Sequence, residues 1–219
     1  FDFNQDISSW DVSNVTNMIA MFNYASAFNQ DISSWDVSNV TDISSMFSAA
    51  TSFNQPIGDW DVSNVSSMDS MFRDTFDFNQ DISNWDVSNV TNMKAMFRGA
   101  YGFNQPIGDW DVSSVTNMAL MFYENDAFNQ PIGNWDVSSV LDMGGMFGNA
   151  IAFNQPIGDW DVSNVTDMGG MFFGFDVVTS FNQDLSNWNV SSVNECGGFN
   201  YNTPQWTLPK PNLDPSCLE

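Results

Sequence analysis

Phe3-Asn4-Gln5-Asp6-Ile7-Ser8-Ser9-Trp10-Asp11-Val12-Ser13-Asn14-Val15-Thr16-Asn17-Met18 opens a 25-residue phrase that occurs eight times along the 219-residue chain. Its Phe recurs at Phe28, Phe53, Phe78, Phe103, Phe128, Phe153 and Phe181. Its Trp recurs at Trp35, Trp60, Trp85, Trp110, Trp135, Trp160 and Trp188. A fixed period of this length predicts a solenoid, in which each coil buries its apolar face only against its neighbours. Function is then to be sought on surfaces built from stacked equivalent positions.

Within the first coil the apolar positions are Phe3, Ile7, Trp10, Val12, Val15, Met18, Met21, Phe22 and Ala25. Trp10-Asp11-Val12 alternates with strand period. Met18, Met21, Phe22 and Ala25 follow the i, i+3, i+4, i+7 spacing of a helix. Each coil is therefore expected to hold one short parallel strand and about two turns of helix, linked through Asn14 to Asn17. The Phe-Asn-Gln stretch returns the chain to the next strand. Where Asp6-Ile7-Ser8 becomes Pro56-Ile57-Gly58, Pro and Gly suit a turn rather than a strand interior. Eight coils at a spacing of roughly 4.7–4.9 Å make a rod about 40 Å long. Residues 1–199 form this single domain, and residues 200–219 are a non-repeating tail that can cap it. The Met and aromatic columns are core, and the Asn4 and Gln5 columns are read as inward amide ladders that tie coil to coil.

Composition narrows the function classes. Against 27 Asp and Glu there are four Lys and Arg, for a net charge of −23. Such a surface repels nucleic acid, whose phosphates require Lys and Arg clusters, and attracts divalent cations or basic partners. Histidine is absent, which removes the commonest general base and transition-metal ligand. No nucleophile–base pair or phosphate loop is visible, so no enzyme is expected. Cys196 and Cys217 cannot make a four-cysteine zinc site. A disulfide closing the tail is preferred over two free thiols, and it would imply an oxidising compartment. No apolar run reaches the length of a membrane-spanning helix.

The spacing Ile7-x-x-Trp10-x-Val12-x-x-Val15 resembles the leucine-rich repeat. The whole phrase resembles the 25- to 26-residue surface repeat of BspA-like and mycoplasma lipoprotein families, from Phe3 to about Phe199. The resemblance implies a right-handed, leucine-rich-repeat-like solenoid on an extracellular or cell-surface protein, with roles in adhesion or surface architecture and no catalytic activity. The last coil departs from the pattern: three extra residues come in near Phe175-Asp176-Val177, Asn189 replaces the Asp, and Cys196 replaces a Met.

Several outward columns are candidates for a site. Asp11, Asp36, Asp61, Asp86, Asp111, Asp136 and Asp161 would line one exposed face, with Asp59, Asp109 and Asp159 in a second row. Like charges ~5 Å apart repel by roughly 1 kcal/mol in water. Hydrogen bonds from Ser or turn N–H groups are the plain way to offset this, and bridging calcium is the sharper one. Asn14, Asn39, Asn64, Asn89, Asn164 and Asn189 each begin an N-glycosylation sequon, although Asn also suits a turn. Thr16, Thr41, Thr91, Thr116 and Thr166 form an interrupted column. Arg73 and Arg98, with Lys94 nearby, are the basic spot and are expected to pair with local Asp. No cofactor is expected beyond calcium or glycans. The first coil lacks a cap, and head-to-tail self-association into a fibre is the partner reading, alongside contacts with other surface proteins or glycans. The competing reading is a calcium- or carbohydrate-binding module that uses the Asp face.

Overall fold

Thr41 N–H donates to Thr16 O at 2.9 Å, and Met18 N–H donates to Asp42 O at 2.9 Å. These two bonds frame a parallel bridge between Asn17 and Asp42. The same bridge recurs at Asp42–Ser67, Ser67–Asn92, Asn92–Asn117, Asn117–Asp142, Asp142–Asp167 and Asp167–Glu195. Seven bridges, one per repeat boundary, stack eight coils in register. This arrangement comes from a computed structural model that describes residues 2–175 and 177–218.

The local conformation differs from the strand-plus-helix coil that the sequence predicts. Among the described residues there is no extended strand and no α-helix; the one helical element is a 3₁₀ turn at Pro215–Leu218. Trp10-Asp11-Val12 joins two tight turns, closed by Trp10 N–H to Ile7 O at 3.0 Å and Val15 N–H to Val12 O at 2.8 Å. Asp11 causes the second turn, because its Oδ1 accepts both N–H and Oγ–H of Ser13, at 3.1 and 2.6 Å. An Asp side chain that binds the backbone two residues on competes with strand pairing.

The segment expected to be helical alternates its hydrogen bonds. Met21, Asn23 and Ala25 donate N–H groups to the carbonyl three residues back. Met18, Ala20, Phe22 and Tyr24 donate instead to Asp42, Ser44, Met46 and Ser48 of the next coil, at 2.8–2.9 Å. This alternation needs left-handed residues. They form two columns: Ala20, Ser45, Ser70, Ala95 and Leu120, and Tyr24, Ala49, Asp74, Glu124 and Asn149, all with φ between 52° and 59°. Gly145, Gly170 and Gly198 continue the first column, and Gly99 sits in the second. An L-residue in this region costs roughly 1–2 kcal/mol. Four inter-coil bonds per boundary, each contributing a net ~0.5–1.5 kcal/mol, offset two such residues. An α-helix would close those N–H groups internally and leave the coils unjoined.

From the second coil through the seventh the predicted core columns are buried, whereas Phe3, Trp10 and Met21 of the first coil are exposed. Phe22 stacks at 3.9 Å on Phe28, the opening Phe of the next phrase, and each continues onto its own equivalent, Phe22 on Phe47 at 5.6 Å and Phe28 on Phe53 at 5.9 Å. The Phe columns from Phe28 to Phe172 are fully buried. The Trp column lies beside them, with rings nearly parallel and 6.4–6.5 Å apart where they stack. From Trp35 onward each Trp donates Nε1–H to the preceding coil's Ile carbonyl, as Trp85 does to Ile57 O at 3.1 Å. The buried indole N–H is thereby satisfied while it joins two coils. Glycine is required in the Pro-Ile-Gly coils: a Cβ at Gly108 would lie 2.3 Å from Pro131 O of the next coil.

The tail folds across the eighth coil. Trp206 is 3% exposed and packs edge-on against Phe172 and Phe181, at 5.1 and 4.9 Å. Its Nε1–H donates to Gln183 O at 2.8 Å. The Pro215–Leu218 turn brings Cys217 to Cys196, and the two are joined by a disulfide with Cα atoms 4.9 Å apart.

Candidate functional surfaces

The Asp column is exposed throughout. In Asp11, Asp36, Asp86 and Asp136, Oδ1 accepts the hydroxyl and the N–H of the Ser two residues on. Asp61 and Asp111 do the same with Ser63 and Ser113. Asp161 accepts Ser163 N–H at 3.0 Å. The Ser hydroxyl first, then its N–H, hold the carboxyls of Asp11, Asp36, Asp86, Asp136 and Asp161 below the usual Asp range. The neighbouring carboxylate acts in the opposite direction, Asp11 on Asp36 and Asp161 on Asp136. The repulsion expected along the column is therefore answered by each coil's own turn. Among the described residues no group of three or more His, Cys, Asp or Glu side chains converges to hold a metal ion. In the second row, Asp59 and Asp159 border shallow hollows of about 230 and 220 Å³ beside Gly58 and Gly133.

The sequon asparagines are exposed, and their amide nitrogens have structural partners. Nδ2 of Asn39, Asn64, Asn89 and Asn164 donates to the carbonyls of Ser13, Ser38, Ser63 and Ser138 in the preceding coil, at 2.7–2.8 Å. Asn14, in the first coil, reaches only Ser13 Oγ at 3.5 Å. Asn189 Oδ1 accepts Ser191 N–H at 3.2 Å. The Thr column is likewise a ladder: Thr41, Thr91, Thr116 and Thr166 donate their hydroxyls to the preceding coil's carbonyl at 3.0–3.2 Å. Leu141 interrupts it.

The Asn4 and Gln5 columns tie coil to coil, but from a half-exposed edge rather than from inside. Asn79 Oδ1 accepts Asn104 N–H at 3.0 Å and Gln105 Nε2–H at 2.8 Å. Equivalent contacts run from Asn4 to Asn182. At the end of the column, Thr207 and Leu208 of the tail donate their N–H groups to Asn182 Oδ1, at 2.8 and 3.0 Å.

The basic spot is more than an ion pair. Arg73 Nε binds Asp74 Oδ2 at 3.2 Å, as expected for a local Asp partner, with both side chains part-exposed. Arg98 instead lies over the Tyr123 ring, 5.5 Å from its centroid. The ring in turn covers Gly148, where a Cβ would lie 2.7 Å from it. Phe76 and Tyr101, both exposed, stack at 5.0 Å along the same corner. This corner is the variable part of the phrase: Asn23, Ser48, Arg73, Arg98, Tyr123 and Gly148 occupy one column. Aligning the eight coils and asking where they disagree would have singled it out. The two Arg residues stand out as the basic spot on charge alone; their aromatic neighbours Phe76, Tyr101 and Tyr123 do not.

The arrangement leaves the repeated columns as coil-to-coil fasteners and one corner as the distinctive surface. No helix among the described residues is long and apolar enough to cross a membrane. No curated protein and no solved structure matches the chain. A family model described as "Mycoplasma protein of unknown function, DUF285" matches it in three overlapping stretches, 1–82, 56–144 and 100–209. By these matches, which together span most of its length, the chain belongs to that repeat family.

Proposed function

We propose that the chain is a non-catalytic extracellular repeat protein that serves as a structural or adhesive element of a cell surface, or as a fibre-forming subunit. The observation that carries this reading is the division of labour among its columns. The Asn, Gln, Thr and Trp columns hold coil to coil, while variation gathers at the corner bearing Arg73, Phe76, Arg98, Tyr101 and Tyr123. A rod with uniform flanks sets a distance, and a corner of Arg and aromatic side chains is the composition that dominates binding interfaces. The resemblance of the phrase to BspA-like surface repeats supports an extracellular solenoid. The Cys196–Cys217 bridge fits an oxidising compartment.

The test is surface labelling. An antibody raised against the folded chain should stain intact source cells or recover the protein from their medium, and external protease should remove the cell-bound signal. A signal confined to lysed cells refutes the proposal.

A further inference from the structure

The variable corner leaves two large rings in solvent. Phe76 is 41% exposed and Tyr101 44%, and the rings stack at 5.0 Å with their planes 25° apart. Both lie in one column of the phrase, in which Asp126 comes next. The charge around Tyr101 is mostly negative. Burial first, then the carboxylates of Glu124, Asp74 and Asp126, push ionisation of its hydroxyl above the usual tyrosine range, and Arg98 acts in the opposite direction.

These carboxylates differ from those of the repeated columns. Asp36 and Asp86 each accept the hydroxyl and the N–H of the Ser two residues on. Among the described residues the side chains of Glu124 and Asp126 accept no hydrogen bond and enter no ion pair. Burial, with no donor to oppose it, holds the Asp126 carboxyl above the usual Asp range. The chain's own cations are committed elsewhere. Arg73 binds Asp74, Arg98 lies over the Tyr123 ring, and Lys210 lies over the Trp206 ring at 4.9 Å. Lys94, the fourth basic residue, is exposed and pairs with no carboxylate among the described residues. Two aromatic rings of this protein thus already carry a cation over their faces. Tyr101 has the ring and the neighbouring carboxylates without the cation.

We infer that the Phe76–Tyr101 stack, with Glu124 and Asp126 beside it, docks an arginine-bearing segment of a basic partner protein. Charge complementarity selects this occupant. A guanidinium stacks on an aromatic face and hydrogen-bonds a carboxylate through the same planar group. The net charge of −23 draws a basic partner toward the surface. A second copy of this chain, equally acidic, is repelled. The inference rests on the surface-protein reading and deepens it by naming the partner's chemistry.

The experiment titrates the full chain into a fluorescent peptide of alternating Arg and Gly, followed by anisotropy at physiological salt, where charges beyond about 8 Å are screened. Binding should saturate. Tyr101→Ala and Asp126→Asn should each weaken it by about tenfold, as loss of an interface anchor does. Asp36→Asn removes the same charge from the repeated column and should change affinity by less than about twofold. The inference is overturned if the peptide does not bind, or if Tyr101→Ala leaves its affinity unchanged. It is equally overturned if Asp36→Asn weakens binding as much as Asp126→Asn, because net charge alone would then be the attraction. Saturable binding of a neutral oligosaccharide, cellohexaose, in place of the peptide also overturns it, since the rings would then act without the carboxylates. Should Tyr101→Ala lose its cooperative thermal transition, amide resonances of the unaltered chain decide the matter. The peptide should shift those of Phe76, Tyr101, Glu124 and Asp126, and shifts spread evenly along the repeated Asp column overturn the inference. Cell-surface staining does not involve this corner, so a failed titration leaves the surface-protein reading standing.

Discussion

Replacing Asn79 by Ala tests the amide ladder in the middle of the stack. Asn79 Oδ1 accepts two hydrogen bonds from the next coil, Asn104 N–H at 3.0 Å and Gln105 Nε2–H at 2.8 Å. Truncation removes both, at a net ~0.5–1.5 kcal/mol each. The site is exposed, so water partly re-solvates the two donors, and a loss of about 2 kcal/mol is expected. For a chain of this size that lowers Tm by roughly 4–8 °C. Asn79→Asp is the informative companion. The ladder uses only the acceptor oxygen, which Asp retains, and an ionised acceptor strengthens such bonds. Asn79→Asp should therefore stay within about 0.5 kcal/mol of the parent protein, the range of a neutral surface change. Urea unfolding followed by tryptophan fluorescence measures both. An Asp variant as damaged as the Ala variant, or an Ala variant indistinguishable from the parent, refutes the account of the ladder.

Four further outcomes are expected. Phe97→Ala opens a cavity between Phe72 and Phe122 and should cost about 3–5 kcal/mol by urea unfolding. Leu141→Thr should restore the interrupted hydroxyl ladder and raise stability by up to ~1 kcal/mol in the same assay, since Leu141 is 49% exposed and little packing is lost. The Asp carboxyls held low by their Ser partners have folded-state pKa values below those of the unfolded chain. Their contribution is present above the unfolded Asp value, about pH 3.9, and is lost as pH falls through the lowered values. Tm should accordingly drop on acidification below about pH 4, and a rise would mean that relief of like-charge repulsion wins. Millimolar calcium should leave Tm unchanged, because each Asp of the column already engages its own turn; a saturable increase would instead reveal cation binding.

Much of the molecule is legible in its repeats. The Phe, Trp, Val and Met columns read as core from the phrase alone are buried from the second coil through the seventh. The Asn–Gln pairs emerge as inter-coil fasteners because a buried or edge backbone N–H needs an acceptor at every boundary. The path of the backbone was not legible in the same way. Met18, Met21, Phe22 and Ala25 have helical spacing, but a two-column left-handed pattern buries the same residues with the same period. Periodicity reports which side chains face inward, not which φ and ψ put them there. The basic spot was legible at Arg73 and Arg98, but the Tyr123 ring under Arg98 was not: a repeat is recognised by what stays the same, whereas a specific contact is built from what differs.

The phrase by itself determined that equivalent residues lie over one another, because no single coil has enough apolar surface to fold alone and stacking is the only way to bury it. Tertiary structure alone decided the conformation of each coil. Ala20, Ser45, Ser70 and Leu120 have no intrinsic preference for the left-handed region. They adopt it because the carbonyls of the neighbouring coil stand in line to receive the alternate N–H groups, and that neighbour exists only once the stack has formed.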